Sequence, residues 1–331
     1  MAVRLGLHFR LASTSFRHWA KLYEGAIEQA VTAEALGFDC VVVAEHHFQE
    51  DGYIPAPYIV LGAFAARTSR IRLGTGVRPL PMIHPIRAAE DITVLDNLSN
   101  GRAIGGGFGL GGRPREYEGF GLSYRDRVRR YEEGLPLVSR LLSEERVEHD
   151  GEHYQIPGVT VTPRPVQEPR PPIWIAASAE PAIRRAARLG DAWFSRPVES
   201  LEDLRGLTDV YRDELATQGK DWASFEHVVR RDGWIAESDE EAWAEVLPAL
   251  HFHYTRDYSF FPSDVNLDYM RRYGDDRWVV GSPETIVRTI KKYEQELGVS
   301  LMIIALDNPG LQPKQVMKAI QMFGEHVIPH L

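Results

Sequence analysis

"DCVVVAEHHFQEDG" (residues 39–52) runs from β-branched residues straight into a carboxylate and two adjacent imidazoles. Its apolar part, 39–44, has no polar alternation, which is the pattern of a strand covered on both faces. Glu45, His46 and His47 follow at its end. Groups so costly to leave unpaired in a core belong where a strand gives way to a loop and a site. The stretch reads as a central parallel strand with a functional rim.

Outward from it, the same rhythm repeats. Strands are predicted at 3–9, 71–77, 102–107, 172–178, 191–195, 226–236 and 299–306, which with 39–44 makes eight. Helical spacing lies between them over 22–36, 57–69, 85–99, 127–143, 181–189 and 313–325. Gly37 suits a helix stop, Ser238 facing Glu241 suits a capping box, and Ser282-Pro283 suits a helix start. Asp150-Gly151 marks a hairpin turn outside the β-α rhythm.

Eight strands alternating with helices predict a (β/α)8 TIM barrel, a single domain over 1–331 with insertions near 107–123, 144–170 and 251–277. A doubly wound sheet competes, but it calls for G-x-G-x-x-G after the first strand, and "LGLHFRL" lacks it.

The 331 residues are 44% hydrophobic and 26% charged with a formal charge of -9, a balance that argues against nucleic-acid partners. Cys40, the one cysteine, excludes an intrachain disulfide and reads as a small core residue. No apolar run reaches membrane-spanning length, so a cytoplasmic protein with no membrane partner is expected.

On a barrel, Glu45, His46 and His47 sit at the C-terminal rim. Metal ligation, proton transfer and a structural hydrogen-bond knot all suit these residue types. Adjacent imidazoles on a turn point apart, which is poor geometry for one metal, and an imidazole beside a carboxylate suits acid–base work. Gly74 and Gly76 permit close approach of a ligand or backbone, and Pro79, Pro81 and Pro85 stiffen the loop after them. The glycine run 105–112 is a further cradle candidate. Ser178, between a strand and a helix with Pro181 in its first turn, is either an anion site or a plain N-cap.

Together "AEHHF", "GTGVRPLPMIHPIRAAEDITVLDNLSNGR", the glycine loop with "EYEGFG", "IWIAASAE" and "GSPE" resemble the bacterial luciferase-like flavin monooxygenases. The resemblance is weakest over 196–277. It implies a barrel holding reduced FMN, or in one branch F420, at its C-terminal mouth. It also implies a cis peptide at Gly76-Val77 behind the flavin, a phosphate site at Ser178 and the Ala179 N–H, and a catalytic His46 flanked by Glu45 and His47. Where luciferase has a reactive cysteine and an arginine in the glycine loop, this chain has Phe108 and Gly109, with Arg113 as a substitute phosphate ligand. Luciferase's acidic residue before the phosphate serine is Ala177 here, so light emission is not implied.

The expected function is a two-component monooxygenase: a flavin reductase supplies FMNH2, a C4a-peroxyflavin forms with O2, and a small molecule is oxygenated, by a chain expected to be a homodimer. F420-dependent hydride transfer, a non-catalytic flavin-binding protein, and a metal hydrolase using His46, His47, His251 and His253 are the alternatives. The aromatics of 251–277, Phe252 and Tyr254 among them, suit a lid or pocket wall and, equally, a dimer surface or a packed loop.

Overall fold

The computed structural model describes residues 2–12, 19–258, 260–262 and 264–331, so residues 259 and 263 of the aromatic stretch lie outside the described residues. The first half holds β1 (Arg4–Phe9), α1 (Trp19–Ala35), β2 (Cys40–Val43), α2 (Pro57–Arg67), β3 (Arg72–Thr75), β4 (Arg78–Pro79), α3 (Pro85–Ser99), β5 (Gly106–Gly109), α4 (Pro114–Gly119) and α5 (Arg127–Ser143). After the β6–β7 hairpin (Val147–Asp150, Gln155–Val159) come β8 (Ile173–Ala176), α6 (Glu180–Leu189), β9 (Ala192–Phe194), α7 (Leu201–Thr217) and β10 (Glu226–Ile235). The chain then forms α8 (Asp239–Asp257), α9 (Leu267–Gly274), β11 (Val279–Gly281), α10 (Pro283–Leu297), β12 (Leu301–Ala305) and α11 (Pro313–His326).

The sheet order is β3-β2-β1-β12-β10-β9-β8-β5-β4, with β11 added on β10, and its paired neighbours are parallel. β3 and β4 are successive pieces of one strand, divided at Gly76-Val77, whose peptide bond is cis. Leu73 bridges to Ala103 just ahead of β5, and β4 pairs with β5, so the two ends of the path meet. The result is a nearly closed barrel whose path runs through nine parallel strand segments, β3 and β4 together making one strand, with helices around it.

Alternation sorts the strand residues into two cores. Cys40, Val42, Ile104, Trp174, Phe194, Val228 and Ile303 fill the barrel, while Leu5, Leu7, Val41, Val43 and Ile304 join the larger core under the helices. The N-terminal end is closed by ion pairs: Arg4 meets Asp39 at 2.9 Å, and Arg72 meets Glu226 at 2.8 Å and also Asp39. Only the opposite mouth is left to carry a site.

Several elements depart from expectation, α4 and α7 among them, which fall where no helix was predicted. The fourth strand lies at Gly106–Gly109 rather than 102–107, since a glycine run carries no side-chain period to set its bounds. β11 is three residues long and was not expected. Most far-reaching, α8 continues through "HFHYTRD", and α9 follows, where irregular chain was expected. Trp243, Val246, Leu250, His253 and Tyr254 form the buried face of α8, so its helical stripe includes polar residues that hide the period.

Candidate active site

Because the strands are parallel, the C-terminal ends of β1, β2, β3–β4, β5, β8 and β10 open on one side. Part of the wall there is bare backbone. A Cβ on Gly76 would lie 2.7 Å from Val42 Cγ2, and one on Gly109 would lie 2.8 Å from Val77 Cγ2. From inside the barrel, His8 Nε2–H donates to the Gly76 carbonyl at 2.5 Å. Burial first, then the Arg230 and Arg10 charges, hold His8 well below its ordinary pKa, so the ring is neutral. Its Nδ1 is buried and has no partner.

The two adjacent imidazoles diverge, and each takes its own carboxylate. His47 Nε2–H donates to Glu45 Oε1 at 2.9 Å, while Arg78 Nε approaches Glu45 Oε2 at 3.2 Å and Arg78 Nη1–H reaches Asp91 Oδ2 of α3 at 2.8 Å. Glu45 is buried: Oε1 accepts from His47, and Oε2 faces Arg78 Nε as an ion pair without a hydrogen bond among the described residues. His46 Nδ1–H instead donates to Glu116 Oε1 of α4 at 2.9 Å. The same oxygen accepts the His47 backbone N–H at 3.0 Å. Burial pushes the Glu116 carboxyl up, but the hydrogen bonds from His46 and His47 and the nearby Arg113 charge bring it net below its usual value. Tyr53 stands edge-on to His46 at 4.7 Å between centroids, yet 27% of the His46 side chain stays open to solvent.

Deeper in the mouth lies a polar cluster that sequence reasoning missed. Arg10 and Arg230 both approach Asp232 Oδ1, at 3.1 and 3.0 Å, and Tyr254 donates to Asp232 Oδ2 at 2.7 Å. Asp307 accepts the Arg10 and Leu11 backbone N–H groups at 2.6 and 2.8 Å. The signal was the "RRD" inside an otherwise apolar strand. Glu116 was missed too, although its "EYEGFG" context was noted.

Across the mouth, Ser178 is half-buried and Ala179 exposed at the start of α6. Among the described residues no side chain caps that helix, and Glu180 is drawn off by Arg184 at 2.7 Å. The Phe108 ring turns away into the outer core, leaving only its backbone facing other groups, where the carbonyl accepts from Tyr131 at 3.2 Å. Arg113 is committed to Asp257 Oδ1 at 3.1 Å. Asp257 also binds His253 at 2.8 Å and Arg256 at 2.9 Å, and Arg256 reaches Asp51 at 2.7 Å. These pairs tie the glycine loop and the loop after β2 to the end of α8.

The four histidines weighed as metal ligands have separate partners: Glu116, Glu45, the Val265 carbonyl and Asp257. Among the described residues there is no group of three or more His, Cys, Asp or Glu that could hold a metal ion.

An uncapped helix start beside the Ser178 hydroxyl fits a phosphate, and a glycine wall fits a flat ring. A family model described as luciferase-like monooxygenase matches residues 11–301. The oxygenase component of the flavin-dependent trigonelline monooxygenase of Acinetobacter baylyi is 30% identical over 228 residues, 67% of this chain and 62% of the relative. The F420-dependent glucose-6-phosphate dehydrogenase of Segniliparus rotundus is 28% identical over 324 residues, 92% and 93% of the two chains. The crystal structure of monooxygenase RslO1 from Streptomyces bottropensis superposes with a TM-score of 0.90 at 28% identity, covering 99% of each chain.

Proposed function

Given that the chain belongs to the luciferase-like monooxygenase family, we propose that it is the oxygenase of a two-component system that takes reduced FMN from a separate flavin reductase and uses O2 to oxygenate a small organic substrate. The observation that carries this reading is the pairing, at one end of the barrel, of the partly exposed His46 imidazole with the glycine positions 76 and 109 and an uncapped helix start.

When bound, reduced FMN supplies the electrons that reduce O2. The chain's own residues do the rest. The Ser178 hydroxyl and the Ala179 and Glu180 N–H groups at the start of α6 hold the phosphate. Gly76 and Gly109 give the ring a surface without protruding side chains, and the Val77 side chain packs between them and the barrel core. His46 Nδ1–H is occupied by Glu116, so the ring holds or moves a proton at Nε2. Glu45 and His47, engaged with Arg78 and with each other, brace the loop that carries His46. The Arg113–Asp257–Arg256–Asp51 chain keeps the rim closed against water.

The F420-dependent relative favours a second reading, hydride transfer from reduced F420 in the same cleft. Separate anaerobic titrations with the two reduced cofactors distinguish the readings. We also propose a homodimer through α2 and α3, which lie side by side and expose Ile59, Val94 and Leu98. Ile59→Glu should then yield a monomer by light scattering. No helix among the described residues is long and apolar enough to cross a membrane. A cytoplasmic site of action, where reductases keep flavin reduced, completes the proposal.

A further inference from the structure

Of the two Glu–His pairs at the mouth, one is neutralised from outside and the other is not. Glu45 divides its charge between His47 and the Arg78 guanidinium, which approaches its second oxygen at 3.2 Å. Glu116 has no such cation bonded to it. Both of its donors, His46 Nδ1–H and the His47 backbone N–H, converge on Oε1 at 2.9 and 3.0 Å. Its Oε2 is buried without a hydrogen-bond partner among the described residues. Arg113, at the N-cap of the same helix, spends its bond on Asp257. The carboxylate is 1% exposed, so its charge is poorly screened and acts on what lies against it. What lies against it is His46, with Tyr53 edge-on at the other side of the ring.

We propose that Glu116 is the positioning residue of His46: it fixes the Nδ1–H tautomer, leaves Nε2 as the working nitrogen, and supports the imidazolium when Nε2 takes a proton. His47 is the bracing histidine. The proposal rests on the functional reading above for what the proton is used for, and on the geometry alone for the tautomer.

The test uses full-length wild type, Glu116→Gln, Glu116→Ala, Glu116→Asp and His46→Ala. Histidine-selective 15N NMR of the resting proteins, with His46 assigned by its loss in H46A, reads the tautomer directly. Stopped-flow mixing of each protein, loaded with reduced FMN, with oxygenated buffer reads the flavin reoxidation rate. The Nδ1–H tautomer should dominate in wild type and E116Q, whose amide oxygen still accepts, and be lost to a mixture in E116A. The reoxidation rate of E116A should match that of H46A, roughly tenfold or more from wild type. E116Q should move at least part of that way, and E116D should return toward wild type. An unchanged tautomer in E116A overturns the proposal, as does a wild-type rate in E116Q alongside an altered one in H46A. Should E116A fail to fold, E116Q still decides through its rate. If wild type and H46A reoxidise flavin alike while the tautomer depends on Glu116, the flavin reading fails and the positioning role stands.

Discussion

Arg10 and Asp232 meet at 3.1 Å with side chains 1% and 0% exposed, and Arg230 reaches the same carboxylate at 3.0 Å. Burial alone would raise the Asp232 carboxyl, but the Arg230 and Arg10 charges drive it far below the carboxylate range. Asp232→Asn would leave two buried guanidiniums facing each other without that counter-charge. Removing one partner of a buried pair costs about 3–5 kcal/mol. Denaturant unfolding should show a loss of that order, and a loss below about 1 kcal/mol would contradict the arrangement.

His253 should make the protein acid-sensitive. Burial first, then the Arg10 charge, bring its pKa down to about 4, against support from Asp257. Between the ordinary histidine value and about 4, the unfolded chain takes up a proton that the folded chain refuses. Stability from this group is therefore present above the ordinary value and lost as pH falls toward 4. His253→Gln should flatten the fall of stability between pH 6.5 and 4, by at most about 1.4 kcal/mol per pH unit. Parallel slopes in wild type and variant would refute it.

The rim pairs should hold the mouth together. Arg256→Gln cuts the link from Asp51 to α8, where Asp51 is 7% and Arg256 31% exposed at the side chain. A partly exposed pair of this kind warrants about 1–2 kcal/mol rather than the full buried cost. Hydrogen exchange should rise in residues 48–53 while the barrel strands stay protected. Unchanged exchange in that loop would show the link to be idle.

The phosphate reading separates from the ring reading. Ser178→Asp sets a negative charge at the start of α6, where the phosphate is proposed to sit. Reduced FMN should then bind roughly tenfold or more weakly, while reduced riboflavin, which has no phosphate, binds as it does to wild type. Equal losses for both ligands would remove Ser178 from the phosphate site.

The barrel was legible because buried parallel strands announce themselves: "CVVV" and "LMIIA" are apolar at every position. The Glu-His-His rim followed from the abrupt end of the first of these runs. Less was readable where spacing carries no message. Nothing along the chain says that His46 meets Glu116, 70 residues on, or that Arg10 meets Asp307 across 297. Such partners are set by the closure of the barrel. Arg113 shows the same limit from the other side: its charge suits a phosphate, and nothing along the chain says that it pairs with Asp257.

The central claim is that reduced FMN occupies the mouth beside His46. Anaerobic titration of the wild-type protein with reduced FMN and, separately, with reduced F420 tests it most directly. The account predicts binding of reduced FMN near the micromolar range, with reduced F420 at least a hundredfold weaker. Tighter binding of reduced F420, or binding of neither, would contradict it.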